Sequence, residues 1–200
     1  MKIYVDPLHD FDPEVVFTED SLERSYIAAR TANQDLLEIY ANDPDMRVRR
    51  EVAGNSHCSP EILEELSYIN DGPLLWKIAG NPQATAIALD NCSYISYNDT
   101  AGRVVRHPNT SAETLDRMLD EVIAVGIVGD RDLDIRWGIS GHPNTSADTL
   151  TKLADDPSEF VRWEVAKHVN TPEDVLLKLA EDDNKTIRTR AQVRLGISDT

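Results

Sequence analysis

The sequence predicts an all-α stack of about six two-helix repeats of 26 residues. Three observations carry that prediction: a fixed recurrence, two apolar columns in its register, and helical segments too short to stand alone. A period of 20–50 residues is the signature of repeat architectures. Val161-Arg162-Trp163-Glu164-Val165-Ala166-Lys167-His168 returns 26 residues after Ile135-Arg136-Trp137-Gly138-Ile139-Ser140-Gly141-His142. One column reads Leu37, Leu63, Leu89, Leu115, Leu150 and Leu176, and a second reads Val52, Ile78, Val104, Ile139 and Val165. Both make the same nine-residue jump between the units of Leu115 and Leu150. Shared register, including a shared irregularity, is not what chance produces.

Taken in chain order, residues 1–25 precede the repeats with seven acids and two bases, as expected of an acidic N-terminal cap over the end of the stack. The helical-repeat domain spans 26–196. Within a unit, an opening such as Thr171-Pro172-Glu173-Asp174 predicts an N-cap at Thr171 with proline at the first helical position. The same opening occurs at Thr110-Ser111-Ala112-Glu113 and Thr145-Ser146-Ala147-Asp148. A second segment follows an acidic turn, with Val161, Val165 and Ala166 on one face. Helices of about ten to twelve residues are marginal alone in water, so stacking must supply the stability. The unit containing Asn91–Gly102 has lost the Val-Arg signature and reads as irregular. The nine extra residues fall near 120–130, around Val125 and Ile127, and two readings stand for them. They form a lengthened helix packed on its neighbours, or an exposed contact for a partner or a second copy.

The run Val161-Arg162-x-x-Val165-Ala166-x-x-x-Asn170-Thr171-Pro172-x-x-x-Leu176-x-x-Leu179-Ala180-x-Asp182 resembles the variant leucine-rich repeat, a HEAT-like α-helical repeat. That resemblance implies a right-handed superhelix, an α-solenoid, of paired short helices. Some members carry an N-terminal cysteine cluster for an iron–sulfur centre, which this sequence lacks, so no cofactor is expected.

Of 200 residues, 36 are acidic and 20 basic, for a net charge of -16, and residues 1–100 hold most of that excess. Nucleic-acid binding depends on lysine and arginine displacing phosphate counterions, so the charge argues against it as a partner. No apolar run is long enough to span a bilayer, and the start turns acidic before any leader-like stretch. A soluble, cytoplasmic protein with no membrane association is the expectation. Two cysteines, Cys58 and Cys92, are too few for a disulfide framework.

His107, His142 and His168 share a column with Asn55 and Asn81. Side chains in successive layers stand about 8–10 Å apart, whereas zinc needs donors at about 2 Å from one centre. The column is therefore expected to bond free backbone groups at the turns rather than a metal. Arg49, Arg136, Arg162 and Arg188 form either an anion-binding stripe or an internal ladder with acids and turn carbonyls, and the gaps at Leu75 and Ala101 favour the ladder. Trp76, Trp137 and Trp163 occupy a column in which Arg50, Gly102 and Thr189 also serve, so it is not a uniform core site. Cys92 aligns with Leu66, Met118, Leu153 and Leu179 and reads as core; Cys58, in a turn before Ser59-Pro60, reads as open to solvent. No Gly-rich phosphate loop, Gly-x-Ser-x-Gly elbow or His-Glu-x-x-His motif is present, and no catalytic residue is assigned.

These residues predict a non-enzymatic scaffold for protein–protein interaction, with a protein partner contacting Trp76, Trp137, Trp163, Val125 and Ile127. Two other readings remain at this point. One is a nucleic-acid-processing enzyme like the DNA glycosylases that some HEAT-like stacks resemble, casting Trp137, Trp163 and Asp134 at its centre. The other is an acidic inhibitor that mimics nucleic acid. The sequence leaves the partner's identity and the oligomeric state open.

Overall fold

The computed structural model describes residues 20–94, 99–125 and 130–197, the side chains of Val125, Asp130 and Arg131 excepted; Ile127 therefore lies outside the described residues. Among them there are thirteen helices and no strand. The chain divides into two compact units between Asn109 and Thr110. The first holds α1 (Ser21–Ala28), α2 (Gln34–Ala41), α3 (Met46–Gly54), α4 (Pro60–Ser67), α5 (Gly72–Ile78), α6 (Ala86–Ser93) and α7 (Thr100–Val104). The second holds α8 (Ala112–Val125), α9 (Asp130–Gly141), α10 (Ala147–Leu153), α11 (Glu159–Lys167), α12 (Glu173–Leu179) and α13 (Lys185–Leu195).

After α1 the helices pair off as six repeats, each with a first helix carrying the leucine column and a second carrying the valine–isoleucine column. In the first unit α2, α4 and α6 pack in succession as one layer, and α1, α3, α5 and α7 as the other. In the second unit α9, α11 and α13 pack in succession, with α8, α10 and α12 beside them. All eleven residues of the two predicted columns are buried, Leu176 included. Helix α1 begins before residue 26 and belongs to the second-helix layer, packed on α3.

Most helices begin where a side-chain oxygen satisfies an otherwise unpaired N–H. Asn33, Asp45, Ser59, Asp71, Thr85, Ser146 and Asn184 each accept such a bond. The expected cap at Thr171 is corrected by the structure. Helix α12 starts at Glu173 with Pro172 as its flanking residue, and Thr171 Oγ1 instead donates to the Val165 carbonyl at the end of α11. Thr145 does the same to the Ile139 carbonyl of α9, while Ser146 caps α10. The reason is burial. Thr145 and Thr171 lie in the interior, where the last carbonyls of the preceding helix need a donor and a cap facing solvent is out of reach.

Part of the nine-residue insertion lengthens α8 to 14 residues, against seven in each of α10 and α12. The first turns of α8 are buried through Leu115, Met118 and Leu119, but at its far end Ile123 and Ala124 are exposed. The unit expected to be irregular has the shortest of the described helices, α7, with five residues.

Candidate functional site

The asparagine–histidine column is a ladder of bonds between successive turns. Asn55 Nδ2 donates to the carbonyls of Ala28 and Thr31, and Asn81 Nδ2 to those of Ala53 and Asn55. His107 reaches the Asn81 carbonyl at 2.9 Å and His168 the His142 carbonyl at 2.8 Å, both through Nε2. The other polar atom always faces inward to its own turn: Asn55 and Asn81 Oδ1 and the Nδ1 atoms of His107, His142 and His168 each accept from the N–H two residues on. An accepting Nδ1 places the ring proton on Nε2, where the carbonyl needs a donor. A side chain with one donor and one acceptor about as far apart as in an amide thus serves at every turn. That explains the interchange of Asn and His, and it uses both ring nitrogens of His107 and His168 internally. The column continues beyond the residues singled out from sequence. Arg194, 26 residues after His168, donates to the His168 carbonyl at 2.5 Å. The spacing alone was sufficient to find it.

The arginine column is likewise internal. Arg136 and Asp156 pair at 2.7 Å with side chains 4% and 2% exposed, and Arg162 pairs with Asp182 at 2.7 Å. Arg162 also donates to the Asp156 carbonyl, and Arg188 to those of Asp182 and Asp183. Asp43, Asp156 and Asp182 each accept a second bond from an N–H two residues on, so one carboxylate closes a turn and anchors a guanidinium. For Asp182, burial alone would raise the carboxyl, but the Arg162 guanidinium and the Asn184 N–H outweigh it and hold it below the ordinary carboxylate range. Arg50 holds Asp71 down in the same way, from the aromatic column, at 2.6 Å.

That aromatic column is the part the fold does not consume. Trp137 is 44% exposed, Trp76 37%, and Trp163 is half-buried. Trp137 on α9 and Trp163 on α11 belong to adjacent packed helices of the second unit, whereas Trp76 on α5 belongs to the first. Phe160, which sequence reasoning passed over, is 63% exposed and precedes Trp163 by three residues, the spacing that puts two side chains on one helix face. Asp134 stands in the same relation to Trp137 and is also exposed. Val125 closes α8, but its side chain and all of Ile127 lie outside the described residues.

Cys58 corrects the expectation of an open thiol. It is buried, and its repeat column is Ala84, Thr110, Thr145 and Thr171, every one of them interior. The turn points this position into the stack rather than out of it. Burial pushes the thiols of Cys58 and Cys92 up to about 12, which leaves neither ionised near neutral pH. Among the described residues no three histidine, cysteine or acidic side chains cluster as metal ligands would, and no helix is long and apolar enough to cross a membrane.

Compared by sequence, the chain matches no family model and no curated protein. Compared by structure, it is similar to a leucine-rich repeat variant described as having a novel repetitive structural motif. The TM-score is 0.59 at 19% identity, over 90% of this chain and 69% of that one. The all-helical architecture, the six buried leucines and this similarity together make the fold a variant leucine-rich repeat stack of the α-solenoid class.

Proposed function

We propose that the protein is a non-enzymatic helical-repeat scaffold that binds another protein, in the cytoplasm, through the second-helix face carrying Trp137, Trp163 and Phe160. The observation behind this reading is that these aromatics stay partly exposed in columns where arginine, glycine and threonine also serve. Packing does not require them there, and large rings accessible to solvent are the residues that anchor protein interfaces. The histidine, arginine and cysteine columns supply no competing site, because their polar atoms are spent inside the stack. The net charge of -16 weighs against a nucleic-acid partner.

The test is affinity capture from the native cell extract, with and without nuclease, comparing the natural protein with a Trp137→Ala/Trp163→Ala variant. A protein retained by the former, lost with the latter and indifferent to nuclease supports the reading. Equal retention by both, or loss on nuclease treatment, overturns it.

A further inference from the structure

We propose that the groove beside α5 and α7 is a carboxylate-binding subsite for an extended acidic segment of a protein partner, an inference that rests on the protein-binding reading above. The groove encloses about 360 Å³ and is lined by Gly80, Pro82, Gly102, Arg103, Arg106 and Pro108, among others. It brings two guanidinium groups to one opening in a chain with 16 more acids than bases.

Neither of those arginines is paired with an acid among the described residues. Arg24, Arg50, Arg136 and Arg162 all are, at 2.6–2.7 Å. Arg106 donates only to the Gly102 carbonyl four residues back on its own helix. Arg103 lies flat over Trp76, its guanidinium carbon 3.5 Å from the ring centroid. A cation stacked this way spends its face on the ring and keeps its in-plane N–H fork for a ligand.

The repeat register explains why Arg103 is left over. Lys77 occupies the equivalent position one unit earlier, lies across Gly54, and is neutralised by Glu51 at 2.8 Å, 26 residues before it. Arg103 lies across Gly80 in the same manner, but the residue 26 before it is Lys77, a second cation. Gly80 is required for this placement, since a methyl group there would overlap Arg103 Nη1. His107, also at the groove, has Nε2 on the Asn81 carbonyl and Nδ1 on the Asn109 N–H.

A carboxylate fits the guanidinium fork in two parallel bonds, and the proline walls accept the apolar stem of an extended segment. Two cations in a strongly acidic half of the chain are too few to recruit a polyphosphate backbone. The open groove suits a chain lying across it more than a small molecule, which a pocket would bury almost fully.

Trp76 makes the site readable. In a Trp137→Phe/Trp163→Phe background it is the sole tryptophan, and its emission reports on Arg103 directly. The probes are the blocked peptide Ac-Ala-Glu-Ala-Glu-Ala-NH2, its glutamine counterpart, and inorganic phosphate. The expected result is a saturable change with the glutamate peptide at millimolar concentration, with apparent affinity reduced about tenfold or more by Arg103→Gln and by Arg106→Gln. Gly80→Ala, which keeps both charges but displaces Arg103, should reduce it likewise, with far-UV circular dichroism unchanged in all three. No saturation, an equal response to the glutamine peptide, tighter binding of phosphate, or indifference to all three substitutions overturns the proposal. Because this background lacks Trp137 and Trp163, its outcome is independent of the capture experiment, and either reading can fail without the other.

Discussion

Replacing Asn81 tests whether the turn ladder, and not the apolar columns alone, holds successive repeats in register. Asn81 is buried, donates to the carbonyls of Ala53 and Asn55 at 2.8 and 2.9 Å, and accepts from the Gln83 N–H at 3.0 Å. Asn81→Ala leaves two carbonyls and one N–H without partners where water does not reach. With each bond contributing about 0.5–1.5 kcal/mol net, the expected loss is about 2–4 kcal/mol. Asn81→His installs the side chain that does this job at 107, 142 and 168. It restores the Gln83 bond through Nδ1 and one carbonyl bond through Nε2, so its cost should be about 1 kcal/mol, one bond's worth. Both variants are measured by urea denaturation at neutral pH, followed by Trp76 emission in the single-tryptophan background, with stability read from the midpoint at unchanged slope. If Asn81→Ala shifts stability by less than about 0.5 kcal/mol, or Asn81→His is as damaging as the alanine variant, the ladder is not what aligns the repeats.

Four further outcomes are expected. Leu150→Ala should destabilise the second unit by about 2–5 kcal/mol, the range for truncating a fully buried leucine, as read by calorimetry. Arg136→Met strands the buried Asp156 carboxylate and should cost about 3–5 kcal/mol, while Arg136→Met/Asp156→Leu recovers much of that loss; equal costs for single and double variants would refute a buried pair. Cys58 and Cys92, buried and with ionisation pushed up to about 12, should react with Ellman's reagent only on unfolding, and titration of either thiol in the native protein would contradict the placement. Tyr40 is raised to about 12, chiefly by burial, and its hydroxyl has no hydrogen-bond partner. Its neutral form favours the folded state, so that contribution is complete below about pH 10, where an unfolded tyrosine titrates, and is lost as pH rises toward 12. Tyr40→Phe should lack that alkaline loss and be neutral to about 1 kcal/mol stabilising at pH 7, as measured by thermal unfolding across pH.

Periodicity alone determined most of the architecture. The 26-residue columns identified the buried leucines, the second-helix valines and isoleucines, the turn role of Asn55 through His168, and the internal role of Arg136, Arg162 and Arg188. A repeat forces each of these positions to meet the same neighbours in every unit. The same rule, applied further, would have reached Arg194 and the interior column of Cys58; a turn residue looks exposed only while it is considered apart from its equivalents. Three features had no such signal and were decided by tertiary structure. Thr145 and Thr171 turn inward because the preceding helix leaves carbonyls in need of a donor, which a cap motif in one dimension does not reveal. Phe160 stays in solvent because its helix face has no neighbour, although its chemistry suits a core. Arg103 lies on Trp76 and Gly80 without an acid, a result of which side chain arrives from 26 residues earlier. A column specifies what is shared among repeats, whereas a site arises where one repeat departs from the rest, and the consequence of a departure depends on the three-dimensional neighbours it loses.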